Sequence, residues 1–305
     1  MRKLKVYLLM VVAVVLASCG TSHTVPITGR TQSLMVEDGQ VLSLANQQYQ
    51  EFMKTAKLST NAANTAMVKR VGQNLANAVT NYMTANGLAS EIANFNWTFN
   101  LVQDKQVNAW CMPGGLIVVY EGILPVTQDE ASLAIVLGHE IAHAVARHSA
   151  EQMSTQMKQQ QGLQMGAAVA GMLGMGTNTT SLIGAVVANG FNFKNLSYSR
   201  SHESEADHMG LIFAAMAGYD PQTAVTFWQR MAAQSSNKTS EFLSDHPSDA
   251  TRISQIQGWL PEARQYYKKP AATTTKKAAT TTTKKAATTN NSGQVKTLKI
   301  SSKKK

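Results

Sequence analysis

The chain has 305 residues, 44% of them hydrophobic and 15% charged, and a formal net charge of +10. That charge is concentrated at the ends: Arg2, Lys3 and Lys5 and the eleven lysines of 268–305 carry it, and residues 19–267 are left at −4. A nucleic-acid-binding role argued from the basic balance is thereby excluded, and about 240 residues remain for one sizeable core.

Residues 1–18 read as a lipoprotein signal peptide. A positive start precedes an eleven-residue apolar run, 6–16, which is too short to span a bilayer comfortably. The run ends in Leu16-Ala17-Ser18-Cys19-Gly20, which resembles a bacterial lipobox. The resemblance implies that Cys19 is acylated, becomes the first residue of the mature chain and tethers it to a membrane. In Gram-negative lipoproteins, a residue other than aspartate at Gly20 favours the periplasmic face of the outer membrane. With Cys19 lipidated, Cys111 has no partner for an internal disulfide. Residues 19–35 are expected to form a lipid-anchored stretch, with His23 in its flexible part.

Residues 36–85 carry apolar positions at helical spacing with a break at Ser59-Thr60-Asn61, which predicts two helices. Residues 95–102 alternate apolar and polar, and 116–120 are a β-branched run after Pro113-Gly114-Gly115, which predicts strands flanking a turn. Thr127 with Glu130 forms a capping box that opens a helix expected to run to about Glu151. The Gly-, Ala- and Met-rich stretch 157–196 has two apolar halves, 162–176 and 181–191, neither long enough to span a membrane. It reads as a hairpin of small-residue helices, with a lid or a membrane-dipping segment as alternatives. Residues 199–217 read as a helix ended by Gly218, Asp220-Pro221 starts another that carries Phe227 and Trp228, and a last helix follows Pro247. The repeats of Lys, Thr and Ala in 268–305 predict a disordered tail, either a solvated linker or an electrostatic contact to anionic envelope polymers or lipids. The fold class expected is α+β, mainly helical, with the domain at 36–267.

His139-Glu140-Ile141-Ala142-His143 lies within the predicted capped helix, where residues four apart share a face. Two imidazoles so placed can bind one Zn2+, and Glu140 beside them can take a proton from water on the metal. Gly138 leaves room for a close backbone approach. A catalytic zinc needs a third protein ligand from another segment, and Ser199-Arg200-Ser201-His202-Glu203-Ser204-Glu205-Ala206-Asp207 offers one. Glu203 and Asp207 are four apart, one able to face the metal and one to hold a histidine ring; the alternative is an exposed acidic helix, disfavoured by repulsion between like charges.

These motifs, with Asn108-Ala109-Trp110-Cys111-Met112-Pro113-Gly114-Gly115, His246-Pro247-Ser248, Arg252 and Pro26-Ile27-Thr28-Gly29-Arg30, resemble the gluzincin zinc metallopeptidases of the HtpX, BepA and LoiP kind. The resemblance covers residues 26–259. It implies a cleft edged by a small β-sheet, Glu203 and not Glu205 as third ligand beside His139 and His143, and Asp207 behind His139. It also implies His246 and Arg252 at the mouth of the active site. Trp110-Cys111 departs from the usual smaller or other apolar residues and is expected at the cleft rim. His148 and His202 read as solvated helix residues and His208 as structural.

The activity expected is hydrolysis of peptide bonds, with Glu140 as the proton carrier and Asn108, Ala109 and Trp110 on a strand edge that pairs with extended substrate. His246 is expected to plug the resting metal site or to help stabilise the oxyanion, with Arg252 sharing the second task. The resemblance implies misfolded or misassembled envelope proteins as substrates. The rival reading is a chaperone-like assembly factor for outer-membrane proteins in which cleavage is secondary; a further rival is a protein that zinc merely holds together.

Overall fold

Val25, eleven residues before the first predicted helical pattern begins at Val36, is 1% exposed and packs into the main core, so the ordered domain takes in this N-terminal stretch. This is a computed structural model, and it describes residues 21–171, 179–235 and 250–268. Cys19, His246 and the tail beyond Lys268 lie outside them. Strands β1 (Thr21–Thr24) and β2 (Thr31–Leu34) form an antiparallel hairpin. His23 is held there by Glu91 and Gln32, at 2.8 and 3.0 Å, and does not lie in a flexible stretch.

Helices α1 (Asp38–Thr55) and α2 (Ala62–Ala85) follow as the pattern predicts, and the Asn61 side chain caps α2 by accepting from the Asn64 amide. Three strands then form one sheet: β3 (Thr98–Val102), β4 (Ala109–Met112) and β5 (Leu116–Tyr120), in the order β3-β5-β4. The two strands read from the sequence do not flank a turn between them. They run parallel, Leu101 opposite Val119, while β4 returns antiparallel on the other edge of β5. The turn belongs to β4 and β5, where Gly114 and Gly115 take φ of 89° and 80° that side-chain-bearing residues rarely adopt.

Alternation along the strands divides the interior in two. Phe99, Leu101, Ala109, Cys111, Ile117 and Val119 join the main core with α2, whereas Trp110, Met112, Leu116, Val118 and Tyr120 face a second core under α1. Both faces are therefore covered, which explains why every residue of β4 and β5 is buried.

Helix α3 (Glu130–Val145) carries the HExxH segment and is buried from Ser132 onward. Its cap is Asp129, which accepts from the Ser132 amide; Thr127 instead donates its hydroxyl to the Leu124 carbonyl in the preceding helical turn. The helix also stops earlier than expected. Arg147 has φ 57°, a left-handed geometry, and α4 (His148–Gly171) starts afresh after it, so the predicted run to Glu151 is two helices. The Gln32 side chain donates to the Ala146 carbonyl and satisfies the end of α3.

The remaining helices are α5 (Thr179–Ala188), α6 (Arg200–Met216), α7 (Thr223–Ser235) and α8 (Ala250–Tyr266). Ser199 caps α6, and Gly218 at φ 88° ends it. Among the described residues no helix is long and apolar enough to cross a membrane. The architecture is mainly helical with small sheets, as expected.

The closest helix contact is between α3 and α6. A Cβ on Gly138 would lie 2.7 Å from the Gly210 carbonyl oxygen, and one on Gly210 would lie 2.6 Å from the His139 nitrogen. The two helices meet backbone to backbone at this point, and that brings Glu203 and Asp207 of α6 against the histidines of α3.

Candidate metal centre

His139, Glu140 and His143 are 1%, 3% and 1% exposed on α3, and Glu203 and Asp207 on α6 are 3% and 6% exposed. Asp207 Oδ1 lies 2.9 Å from His139 Nδ1, so the proton of that ring sits on Nδ1 and its Nε2 carries a lone pair. His143 Nδ1 is 2.9 Å from His148 Nδ1, and His143 Nε2 is 3.0 Å from His139 Nε2. Glu203 completes the triangle at 3.4 Å from each Nε2.

The chemistry of this donor set decides what it suits. Two imidazole lone pairs and a carboxylate converge with ligand atoms all within 4.8 Å of one another. Tetrahedral zinc with bonds of about 2.0–2.1 Å places neighbouring ligand atoms roughly 3.3 Å apart, and the spacing here matches. Burial works against the charged form of His139, but hydrogen bonds to Asp207 and Glu203 outweigh it and raise its pKa above 6.5. The spot therefore attracts positive charge, as a metal site must. Burial pushes His143 well below 6.5, which keeps that ring neutral and able to ligate. The residues fit a zinc ion.

Glu140 shares a small cleft with Ala109, Cys111, Leu196 and Tyr198. The β4 strand pairs with β5 along one edge, and the Phe193–Asn195 turn packs over part of it. Gln48 on α1 fastens that cover by accepting from the Phe193 amide at 2.9 Å. Asn108 and Ala109 stand at the start of β4, buried, with the Asn108 side chain accepting from the Ala109 amide. Trp110 lines that cleft as well. Its indole packs edge-on against Phe52 and donates to the Tyr120 hydroxyl, because the strand alternation turns it into the second core. Cys111 is also buried, and burial raises its thiol pKa.

Arg252 lines a second pocket with Glu203 and Asp207. It is 4% exposed, donates to Asp207 Oδ1 at 2.7 Å, forms an ion pair with Asp207 Oδ2 at 2.6 Å and lies 3.4 Å over the Trp228 ring. Its role here is to fix the carboxylate that fixes His139. His246, expected beside it, lies outside the described residues.

Two participants were missed. Tyr198 stacks on His143 with centroids 4.1 Å apart and bonds Ser149 at 2.8 Å; burial raises its pKa and keeps the phenol neutral. His148, read as solvated, is 0% exposed and bonds both His143 and Glu205. On an unbroken helix, five residues would carry it away from His143, and only the break at Arg147 turns it back. Burial lowers its pKa to about 4. His202 is half-buried, stacked on His148 and bonded to Glu151. His208 bonds Glu262 and stacks on Trp259, consistent with a structural residue.

Two imidazoles and a carboxylate able to hold one metal ion, with a buried glutamate beside them able to carry a proton, make up a metallopeptidase site of the gluzincin type. Comparison with known proteins agrees. The chain belongs to Peptidase family M48, whose profile matches residues 62–260. It is 38% identical over 178 residues to the mitochondrial metalloendopeptidase OMA1 of Schizosaccharomyces pombe, covering 57% of this chain and 50% of that protein. It is 30% identical over 251 residues to the mitochondrial metalloendopeptidase OMA1 of Homo sapiens, covering 78% of this chain and 46% of that protein. The β-barrel assembly-enhancing protease of Yersinia pestis is 28% identical over 162 residues, 52% of this chain and 33% of that protein. The chain spans about half the length, or less, of these relatives.

Proposed function

We propose that this chain is a zinc-dependent endopeptidase of the bacterial cell envelope that cleaves misfolded or misassembled proteins. The observation that carries the reading is the pair of Nε2 atoms 3.0 Å apart with Glu203 facing both. His139, His143 and Glu203 would hold the metal, and Asp207 and Arg252 would orient His139. Zinc, when bound, supplies a Lewis acid for the scissile carbonyl and brings the pKa of water to about 7. Glu140 takes a proton from the attacking water and delivers it to the leaving amine. The outer edge of β4, from Asn108 to Trp110, pairs with an extended substrate through main-chain groups, which gives binding with little sequence demand.

The envelope assignment rests on the lipobox-like Cys19 segment, which supports a lipid anchor at the periplasmic face of the outer membrane, and on the bacterial relative named above. The name of that relative also favours a second reading, a factor for outer-membrane protein assembly in which cleavage is secondary. A strain carrying Glu140→Gln separates the two: loss of envelope rescue supports proteolysis, and full rescue supports the assembly role. The biochemical test is cleavage of denatured protein by the metal-loaded chain. Chelation is expected to abolish it and zinc to restore it; cleavage that survives chelation contradicts the proposal.

A further inference from the structure

The β1–β2 turn reaches the metal centre through a chain of hydrogen bonds whose direction can be assigned end to end. With its Nε2 facing the metal position, His143 keeps its proton on Nδ1 and donates it to His148 Nδ1 at 2.9 Å. His148 is then protonated on Nε2 and donates to Glu205 Oε2, also at 2.9 Å. Glu205 accepts further from the Thr28 hydroxyl at 2.5 Å and from Arg30 Nε at 2.8 Å. The two terminal nitrogens of Arg30 hold Glu151 at 2.8 and 2.9 Å, and Glu151 accepts from His202, whose ring stacks on His148 at 4.4 Å. The Nε2 of His148 and one face of its ring are thus fixed by groups that Arg30 or Thr28 holds, while its Nδ1 meets His143. The turn is built to present these two side chains. Val25 and Arg30 close it by a backbone bond of 2.8 Å, and Ile27, a β-branched residue, is kept at φ 68° between them.

We infer that the N-terminal hairpin is a working part of the metal centre, with Thr28 and Arg30 as positioning residues that orient His143 through Glu205 and His148. This rests on the reading of His143 as a metal ligand. Glu205 acquires a task distinct from that of Glu203 two residues earlier: it anchors the second ring of the chain and does not face the metal position. A ligand imidazole whose far nitrogen is held by an oriented acceptor is more basic and better aimed, and loss of such an outer partner typically weakens metal binding by about 10- to 100-fold.

The test is the zinc dissociation constant of the full chain, measured by competition with a chelator of known affinity, alongside the thermal midpoint of each metal-free variant. Arg30→Gln and His148→Ala are each expected to bind zinc about 10- to 100-fold more weakly. The double variant should be no weaker than the poorer single one, because both cut the same chain. Thr28→Val, which removes only a hydroxyl, should weaken binding less and in the same direction. Arg30→Lys should recover only part of the affinity, since an ammonium cannot bridge two carboxylates as the guanidinium fork does. Val25→Ala is the control for a merely structural hairpin: Val25 is 1% exposed and lies outside the polar chain, so its loss should lower the thermal midpoint and leave zinc affinity near wild type. Wild-type affinity in both Arg30→Gln and Thr28→Val would overturn the inference, as would equal zinc loss in Val25→Ala. A wild-type chain that takes up no zinc would overturn the metal reading and this inference with it.

Discussion

Spacing made half of the site readable residue by residue. His139 and His143 stand four apart, as do Glu203 and Asp207, and on a helix that interval alone puts each pair on one face. His148 was misplaced for a physical reason: burial depends on which elements pack, and its partners His143 and Glu205 do not stand at helical spacing from it. Glu151 shows how far such packing shifts chemistry. Burial raises the pKa of its carboxyl, but the hydrogen bonds from His202 and Arg30 outweigh that and bring it to about 2 from 4.5. A carboxyl depressed in this way stabilises the fold above its unfolded pKa and ceases to do so as pH falls through the folded value. The gain over Glu151→Gln in unfolding free energy is therefore expected to be full above about pH 4.5 and to vanish by about pH 2. Urea melts of both proteins across that range check it, and a difference constant with pH contradicts it.

At the level of elements, caps and periodicity located the helices, whereas strand order and helix breaks depended on tertiary partners. β4 was readable as a strand, but its place on the far edge of β5 follows from the Pro113-Gly114-Gly115 turn and from a parallel pairing no local pattern announces. The crossing of α3 and α6 is where an element fixes the chemistry. Gly210→Ala forces backbone apart at 2.6 Å, so zinc affinity should fall at least about 10-fold, together with a stability loss of about 1–3 kcal/mol. Calorimetry on the same samples reads both, and wild-type affinity would show that the ligands tolerate the shift. The cover over β4 makes a prediction of opposite sign. Gln48 accepts from the Phe193 amide at 2.9 Å, and Gln48→Ala should loosen that segment and raise cleavage of a short peptide several-fold through a lower KM. Unchanged KM would mean that substrate enters elsewhere.

For the molecule as a whole, the sheet separates two cores, and the site lies where α3 and α6 close the main one. That arrangement was legible only as a class, mainly helical with a small sheet, because the sequence shows which faces are apolar without showing what they meet. The charge partition was legible in full: the ends are basic and the body is mildly acidic. Deleting 268–305 should accordingly leave cleavage of a soluble substrate unchanged and abolish only a salt-sensitive retention on anionic envelope material. Lost cleavage would show that the basic segment serves the catalytic domain. The central claim, that His139, His143 and Glu203 hold zinc while Glu140 moves the proton, is tested most directly by measuring zinc per chain and cleavage side by side in wild type, Glu140→Gln and Glu203→Ala. One zinc in the first two, cleavage in the first alone, and loss of both in the third is the predicted result; wild-type cleavage by Glu140→Gln, or full zinc retention by Glu203→Ala, would contradict it.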